Sequence, residues 1–347
     1  MKKLIVFVLL LAGCGYAGSQ GYGWWNDAVY RPVASHSQPV SVHITEGASP
    51  DDIAAQLYSK GLIRSKEAFT LYVRYTGARA RFQAGDFPLD KDMTMAQMVD
   101  RLTNTTPTQL KVRLIEGATM QQMAQSVQAA GVGSAQDYLA AAKPSVWQAH
   151  YDFLQGRPAG AADNLEGFLF PDTYQLSPSE GPRGLVKRQL DRFGQIVTPD
   201  LRAQVAQAVP GRPAESLWNV MVLASIVERE VNKDPDRAIA CGIFYNRLAA
   251  GITLGSDVTV LYGLGQTQGQ LSTDQLKDPA NPYNTRVHKG LPPGPIGNPS
   301  LASITACASP QKSNYYYFFV DKSGTTHYAK NSIEFQNQVN QFGLGTG

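Results

Sequence analysis

The strongest constraint on the fold is an internal repeat. Val42-His43-Ile44-Thr45-Glu46-Gly47-Ala48-Ser49 returns 70 positions later as Val112-Arg113-Leu114-Ile115-Glu116-Gly117-Ala118-Thr119, and the same offset pairs Ile53 with Met123, Ala54 with Ala124, Leu57 with Val127 and Gly61 with Gly131. Each copy opens with alternating residues, the pattern of a half-buried strand, and turns at Glu-Gly. Ser49 or Thr119 then takes a helix N-cap position, with Asp52 or Gln122 three residues on, where a side chain can reach back to the cap. Pro50 sits at the first helical position of copy one, where its missing N–H costs nothing. Gly61 and Gly131 end the helices, and a second helical pattern follows each, Lys66–Tyr75 and Ala135–Ala142. Between the copies lie Ala84-Gly85-Asp86-Phe87-Pro88-Leu89 and a further capped helix opening at Thr94. Each copy is therefore expected to be a compact strand–helix–helix–strand unit.

The later sequence reads as a mixed α+β body. Helical patterns run over Arg183–Phe193, Leu201–Val209, Glu215–Val231 and Arg237–Ala250. A Gly- and Pro-rich stretch extends to Pro299, a helix begins at Ser300, and a hairpin closes the chain, with strands Tyr315–Val320 and Thr326–Lys330 about a turn at Asp321–Gly324. With 347 residues and 43% hydrophobic content, two folded domains are expected. The net charge of +3 and the lack of any dense Lys/Arg run argue against a nucleic-acid partner.

The N-terminus predicts export. Lys2 and Lys3 precede an apolar run from Leu4 to Ala12, followed by Leu11-Ala12-Gly13-Cys14, which resembles a bacterial lipobox. The competing reading is an uncleaved anchor helix ending at Trp24 and Trp25, although the apolar run is short for a span. Both place the body of the protein in the periplasm, tied to the inner membrane. Cys241 and Cys307 remain as a pair that forms a disulfide or stays as two buried thiols. The expected organisation is an anchor over 1–25, a tether over 26–39, a first module over 40–108, a second repeat or linking subdomain over 109–160, and a catalytic domain over 161–347.

The five histidines show no metal-ligand spacing, and there is no Gly-x-Ser-x-Gly elbow or P-loop. No metal or cofactor is expected. The helix Glu215–Val231 stands out. It is apolar nearly all round, so it should be buried, yet it ends in Glu228-Arg229-Glu230. A buried carboxyl at a helix C-terminus is held toward its neutral form, as a general acid requires. The two glutamates point about 200° apart. Glu230 shares its face with Leu223, Ile226 and Val227, whereas Glu228 shares its face with the smaller Met221, Ala224 and Ser225, so desolvation favours Glu230. The alternative is that both glutamates simply pair with Arg229, Lys233 or Arg237 at the helix end.

Five blocks follow in order, beginning within this helix. They are Leu223–Glu230; Phe244-Tyr245-Asn246-Arg247-Leu248; Leu254–Gly263; Pro282-Tyr283-Asn284-Thr285; and Gly290–Pro299, with Glu166–Tyr174 as a further block upstream. From about residue 40 onward the chain resembles the endolytic murein transglycosylase (YceG-like) family. It departs from the family pattern at Val258, where a proline is usual, and at Arg286, where an aromatic is common. The resemblance implies that Glu230 is catalytic, cutting peptidoglycan glycan strands between N-acetylmuramic acid and N-acetylglucosamine with 1,6-anhydro ends. It also implies a role in limiting glycan length and peptidoglycan synthases (penicillin-binding proteins) as partners. The strand–helix–helix–strand units resemble LysM modules, which lie along sugar chains. Asn246, Asn284 and Thr285 are candidates to hydrogen-bond the sugars, Tyr262 and Tyr283 to lie against sugar faces, and Asp257 to orient neighbours or stabilise positive charge. Leu291–Pro299 is expected to be a rigid loop lining the site, and Glu166 either to belong to the site or, in the favoured reading, to cap a turn. Two rivals stand beside this reading: a true muramidase hydrolase with Asp257 as base, and a non-catalytic peptidoglycan-binding scaffold.

Overall fold

The computed structural model describes residues 19–231 and 233–343, so the Leu4–Ala12 run and Cys14 lie outside the described residues. Among the described residues no helix is long and apolar enough to cross a membrane. The chain divides into two compact units. One takes the described residues up to Leu110 together with Gln175–Glu180, and the other takes Lys111–Tyr174 and the chain from Gly181 onward.

The first unit has the expected strand–helix–helix–strand order. β1 (Pro39–Ile44) and β2 (Gly85–Asp90) pair antiparallel, with Pro39 opposite Asp90 and Ile44 opposite Gly85. Between them lie α1 (Pro50–Ser59) and α2 (Lys66–Thr76), and α3 (Met95–Asn104) follows. The strand alternation buries Val42 and Ile44 with Phe87 and Leu89, and these close on Leu57, Phe69 and Leu102. Burial of each such side chain contributes about 1.5–3 kcal/mol. Residues 26–39, read from the sequence as a tether, are tied to this unit instead. Residues 19–30 are helical, Val29 is buried in the core, and Ser37 and the Gln38 N–H both bond the Asp90 carboxylate.

The second unit opens with the second repeat copy. β3 (Leu110–Arg113) leads to α4 (Met120–Ala129), α5 (Ala135–Ala141) and the short α6 (Pro144–Trp147), and its partner strand β4 (Thr173–Leu176) arrives only after a long insertion. The copies share their local chemistry. Ser49 with Asp52 and Thr119 with Gln122 each form a complete capping box. Gly47 and Gly117 hold the preceding turns at φ 76° and 72°, a left-handed backbone that glycine adopts without penalty.

The remaining elements are α7 (Gly181–Ile196), α8 (Pro199–Val205), α9 (Leu217–Glu230), α10 (Asp234–Ala249), α11 (Asp257–Gly263), α12 (Thr273–Lys277), α13 (Leu301–Ala308), the hairpin β5 (Tyr317–Val320) and β6 (Thr326–Ala329), and α14 (Ser332–Gln341). The helix expected over 201–209 stops at Val205, because Val209 and Arg212 exchange backbone hydrogen bonds about Pro210. α9 is the core of this unit. Val220, Met221, Val222, Leu223, Ala224, Ile226 and Val227 are all fully buried, and α10 and α13 pack against it. A Cys241–Cys307 disulfide joins α10 to α13 across a Cα separation of 5.3 Å.

Candidate active site

Glu230 is the last residue of α9 and lines a cleft of about 610 Å³. Its floor is the Ile252–Ser256 loop, with Phe244 and Arg247 from α10 beside it. One wall is β5, where Tyr317, Phe318, Phe319 and Val320 are all partly exposed, and Arg286 stands at the edge. Among the described residues that line the cleft, Glu230 carries the one carboxylate.

The Ser256 hydroxyl donates to Glu230 Oε1 at 2.5 Å. Loss of hydration raises the Glu230 pKa above the usual carboxylate range. The Ser256 hydrogen bond opposes that rise, the charge of Asp257 adds to it, and Arg229 and Arg247 oppose it. Glu228 behaves differently although its side chain is only 6% exposed. Burial disfavours its charged form too, but hydrogen bonds from the Ser300 hydroxyl and N–H, together with Arg237 at 2.9 Å, outweigh it and hold the pKa below the ordinary value. Glu230 is both the more desolvated and the less compensated of the two glutamates. The alternative reading, pairing at the helix end, holds for Glu228, which is engaged by Arg237.

The other candidates fall into distinct roles. Thr285 is buried, accepts from the Ser256 N–H at 3.1 Å and bonds the Thr259 hydroxyl at 2.8 Å, so it fixes the loop that presents Ser256 to Glu230. Asn246 spends its amide on the Ser313 and Tyr315 carbonyls and so anchors the approach to β5. Asn284 is fully buried, and its amide donates to the carbonyls of Gln275, Leu276 and Asp278. These two were expected to bond sugars; their polar hydrogens are spent on backbone carbonyls instead. Asp257 is half-exposed and ion-paired with Arg286 at 2.5 Å. Tyr262 and Tyr283 meet edge to face at 4.9 Å, and neither lines the cleft.

Glu166 does not cap a turn. Its buried carboxyl accepts from the Met120 N–H at 3.0 and 3.1 Å, from Asn298 at 2.8 Å and from Tyr262 at 3.2 Å. It thus closes the N-terminus of α4 from 46 residues away. Burial pushes its pKa up to about 7 against these hydrogen bonds. The Leu291–Pro299 loop is also buried scaffold rather than cleft lining over most of its length. The Ile296 N–H bonds Ser225, and Asn298 joins Gly167, Leu169 and Ala118.

Sequence reasoning missed Ser256, Arg247 and the aromatic wall. A run of five aromatics, Tyr315 to Phe319, was the available signal: a strand with apolar rings on both faces must offer some of them to something. Among the described residues no group of three or more His, Cys, Asp or Glu side chains could hold a metal ion.

Fold and site together define an α+β protein with an acid-bearing cleft walled by aromatic rings. A model of the YceG-like family matches residues 42–341, and the chain belongs to that family. It is similar to the endolytic murein transglycosylase of Bacillus subtilis (strain 168), 28% identical over 88% of this chain and 86% of the relative. The protein of that name from Streptococcus pneumoniae serotype 2 (strain D39) is 28% identical over 97% of this chain and 64% of the longer relative. The crystal structure of a yceG-like protein from Listeria monocytogenes superposes with a TM-score of 0.58 at 26% identity, covering 87% of this chain and all of the other.

Proposed function

We propose that this protein is an endolytic lytic transglycosylase of peptidoglycan, with Glu230 as its single catalytic acid and base. The observation that carries the reading is one partly desolvated carboxyl in a cleft with an aromatic wall, in a chain whose relatives bear that activity in their names. Neutral Glu230 protonates the oxygen linking N-acetylmuramic acid to N-acetylglucosamine, and the C1–O bond breaks. The carboxylate then takes the proton of the muramoyl C6 hydroxyl as that oxygen bonds C1, which regenerates the acid and leaves a 1,6-anhydro end. Ser256 occupies Oε1 as a donor, so Oε2 remains for the proton. Hydrolases place a second carboxylate for a base or nucleophile. Here the nearby acid, Asp257, is engaged by Arg286. Cleavage of nascent strands by such an enzyme limits their length. The protein then belongs at the periplasmic face of the inner membrane, held by its N-terminus and working beside peptidoglycan synthases. The LysM-like first unit holds the strand.

The test is mass spectrometry of glycan strands digested by the wild type and by Glu230→Gln. Anhydro-muramoyl ends are expected from the wild type alone, with the variant's rate reduced by about 10²–10⁴-fold, the usual worth of a general acid–base. Reducing ends would instead identify a hydrolase, and undiminished cleavage by the variant would remove Glu230 from the reaction.

A further inference from the structure

Two arginines line the cleft, and they are not equivalent. Arg247 is committed to the protein: Nε donates to the Tyr316 carbonyl and Nη1 to that of Leu254, both at 2.5 Å, and the guanidinium lies 4.7 Å from the centre of the Tyr317 ring. It holds the floor loop to β5. The Arg286 side chain is 40% exposed, and the hydrogen-bond partner of its guanidinium among the described residues is Asp257, whose side chain is itself 55% exposed. Asp257 takes one of the five N–H donors of a guanidinium. A planar fork standing at the edge of a cleft, engaged at one corner by a solvent-facing carboxylate, is suited to receive a second carboxylate.

The sugar backbone of a glycan strand carries no charge. Its anions sit on the muramoyl lactyl arm, either as the free lactyl carboxylate of a strand without stem peptide or as the carboxylates of the stem peptide. We propose that Arg286 is a specificity-determining residue that reads a carboxylate on the lactyl–peptide arm of the strand bound beside Glu230. This rests on the transglycosylase reading of the cleft. The aromatic wall contacts every strand alike, whereas Arg286 distinguishes strands by what the lactyl arm bears. Asp257, ion-paired with the guanidinium, keeps it oriented at the cleft edge.

The test measures binding, not turnover, so that cleavage does not confound it. The full chain carrying Glu230→Gln is titrated calorimetrically with three purified strands: one bearing stem peptides, one whose stem carboxylates have been converted to amides, and one stripped of stems to free lactyl carboxylates. Adding Arg286→Ala is expected to weaken the preferred strand by about tenfold, the worth of a charged hydrogen-bonded pair at a partly exposed site, and to level the three affinities. Arg286→Lys keeps the charge but loses the fork, and falls between the two. Preference for intact stems identifies the peptide carboxylates as the ligand, and preference for stripped strands identifies the lactyl carboxylate; either supports the assignment when Arg286→Ala abolishes it. Equal affinity for all three strands, or an equal loss on all three in the alanine variant, overturns the assignment and leaves the transglycosylase reading standing. No binding of any strand overturns both.

Discussion

Glu166 and Glu228 start from the same penalty, removal from water, and end with opposite shifts. Glu228 has the Ser300 hydroxyl and N–H as donors together with a guanidinium at 2.9 Å and titrates low, whereas Glu166 has the Met120 N–H, Tyr262 and Asn298 and a more distant Arg229, and its pKa is pushed up to about 7. A carboxyl whose folded pKa lies above its unfolded value of 4.5 stabilises the fold fully below that value, and the stability is lost as pH rises through about 7. Glu166→Gln mimics the neutral acid: its oxygen keeps Met120 and Asn298, and its amide can donate to the Tyr262 oxygen. The wild type is therefore expected to lose roughly 3 kcal/mol relative to Glu166→Gln between pH 4.5 and 8. Urea unfolding curves at pH 5 and pH 8 measure this, and parallel pH dependence in the two proteins would contradict it. The sequence could pick Glu230 because the cue was local, an acid ending an apolar helix. It could not read Glu166, whose donors lie 46, 96 and 132 residues away, or foresee that Ser300, 72 residues on, would join Arg237 in holding Glu228 ionised.

Elements with their own start signals were legible. α1, α4, α9 and α13 appear where a cap residue precedes an apolar pattern, and the closing hairpin lies within two residues of its expected strands. β4 was hidden because its partner lies far upstream, and α12 because its capping box, Ser272 with Gln275, opens a helix of only five residues without a buried face. Close approach between elements is another property that sequence does not display. Gly242 lies on α10, and a Cβ there would come within 2.2 Å of the Gln311 carbonyl, a backbone atom that cannot turn aside. Gly242→Ala favours the isolated helix, yet it is expected to destabilise the protein by about 1–3 kcal/mol through overpacking. Thermal melting decides the sign: a rise in midpoint would mean that the segment at Gln311 yields freely.

The two repeat copies show how one local pattern serves two ends in one molecule. In the second copy the turn is filled: the Gly117 N–H bonds the Asn298 carbonyl, and a Cβ on Gly117 would press on the Glu228 side chain at 3.2 Å. The equivalent Gly47 of the first copy has nothing within 4 Å, and a hollow of about 280 Å³ opens there, lined by Thr45, Ser49, Arg79 and Phe82. Copy two has spent its turn on scaffolding the catalytic unit, and copy one has kept it open. If that hollow holds glycan, the first unit acts by raising the local concentration of long strands and contributes nothing to bond cleavage. Arg79 is exposed and can be replaced without touching the core. Arg79→Ala is then expected to raise KM for polymeric strands on the order of tenfold while leaving kcat, and both constants on short oligosaccharides, unchanged. Steady-state kinetics on strands of graded length checks this. A uniform KM across lengths would assign the first unit a structural role, and a fall in kcat would mean that Arg79 acts on the reaction itself.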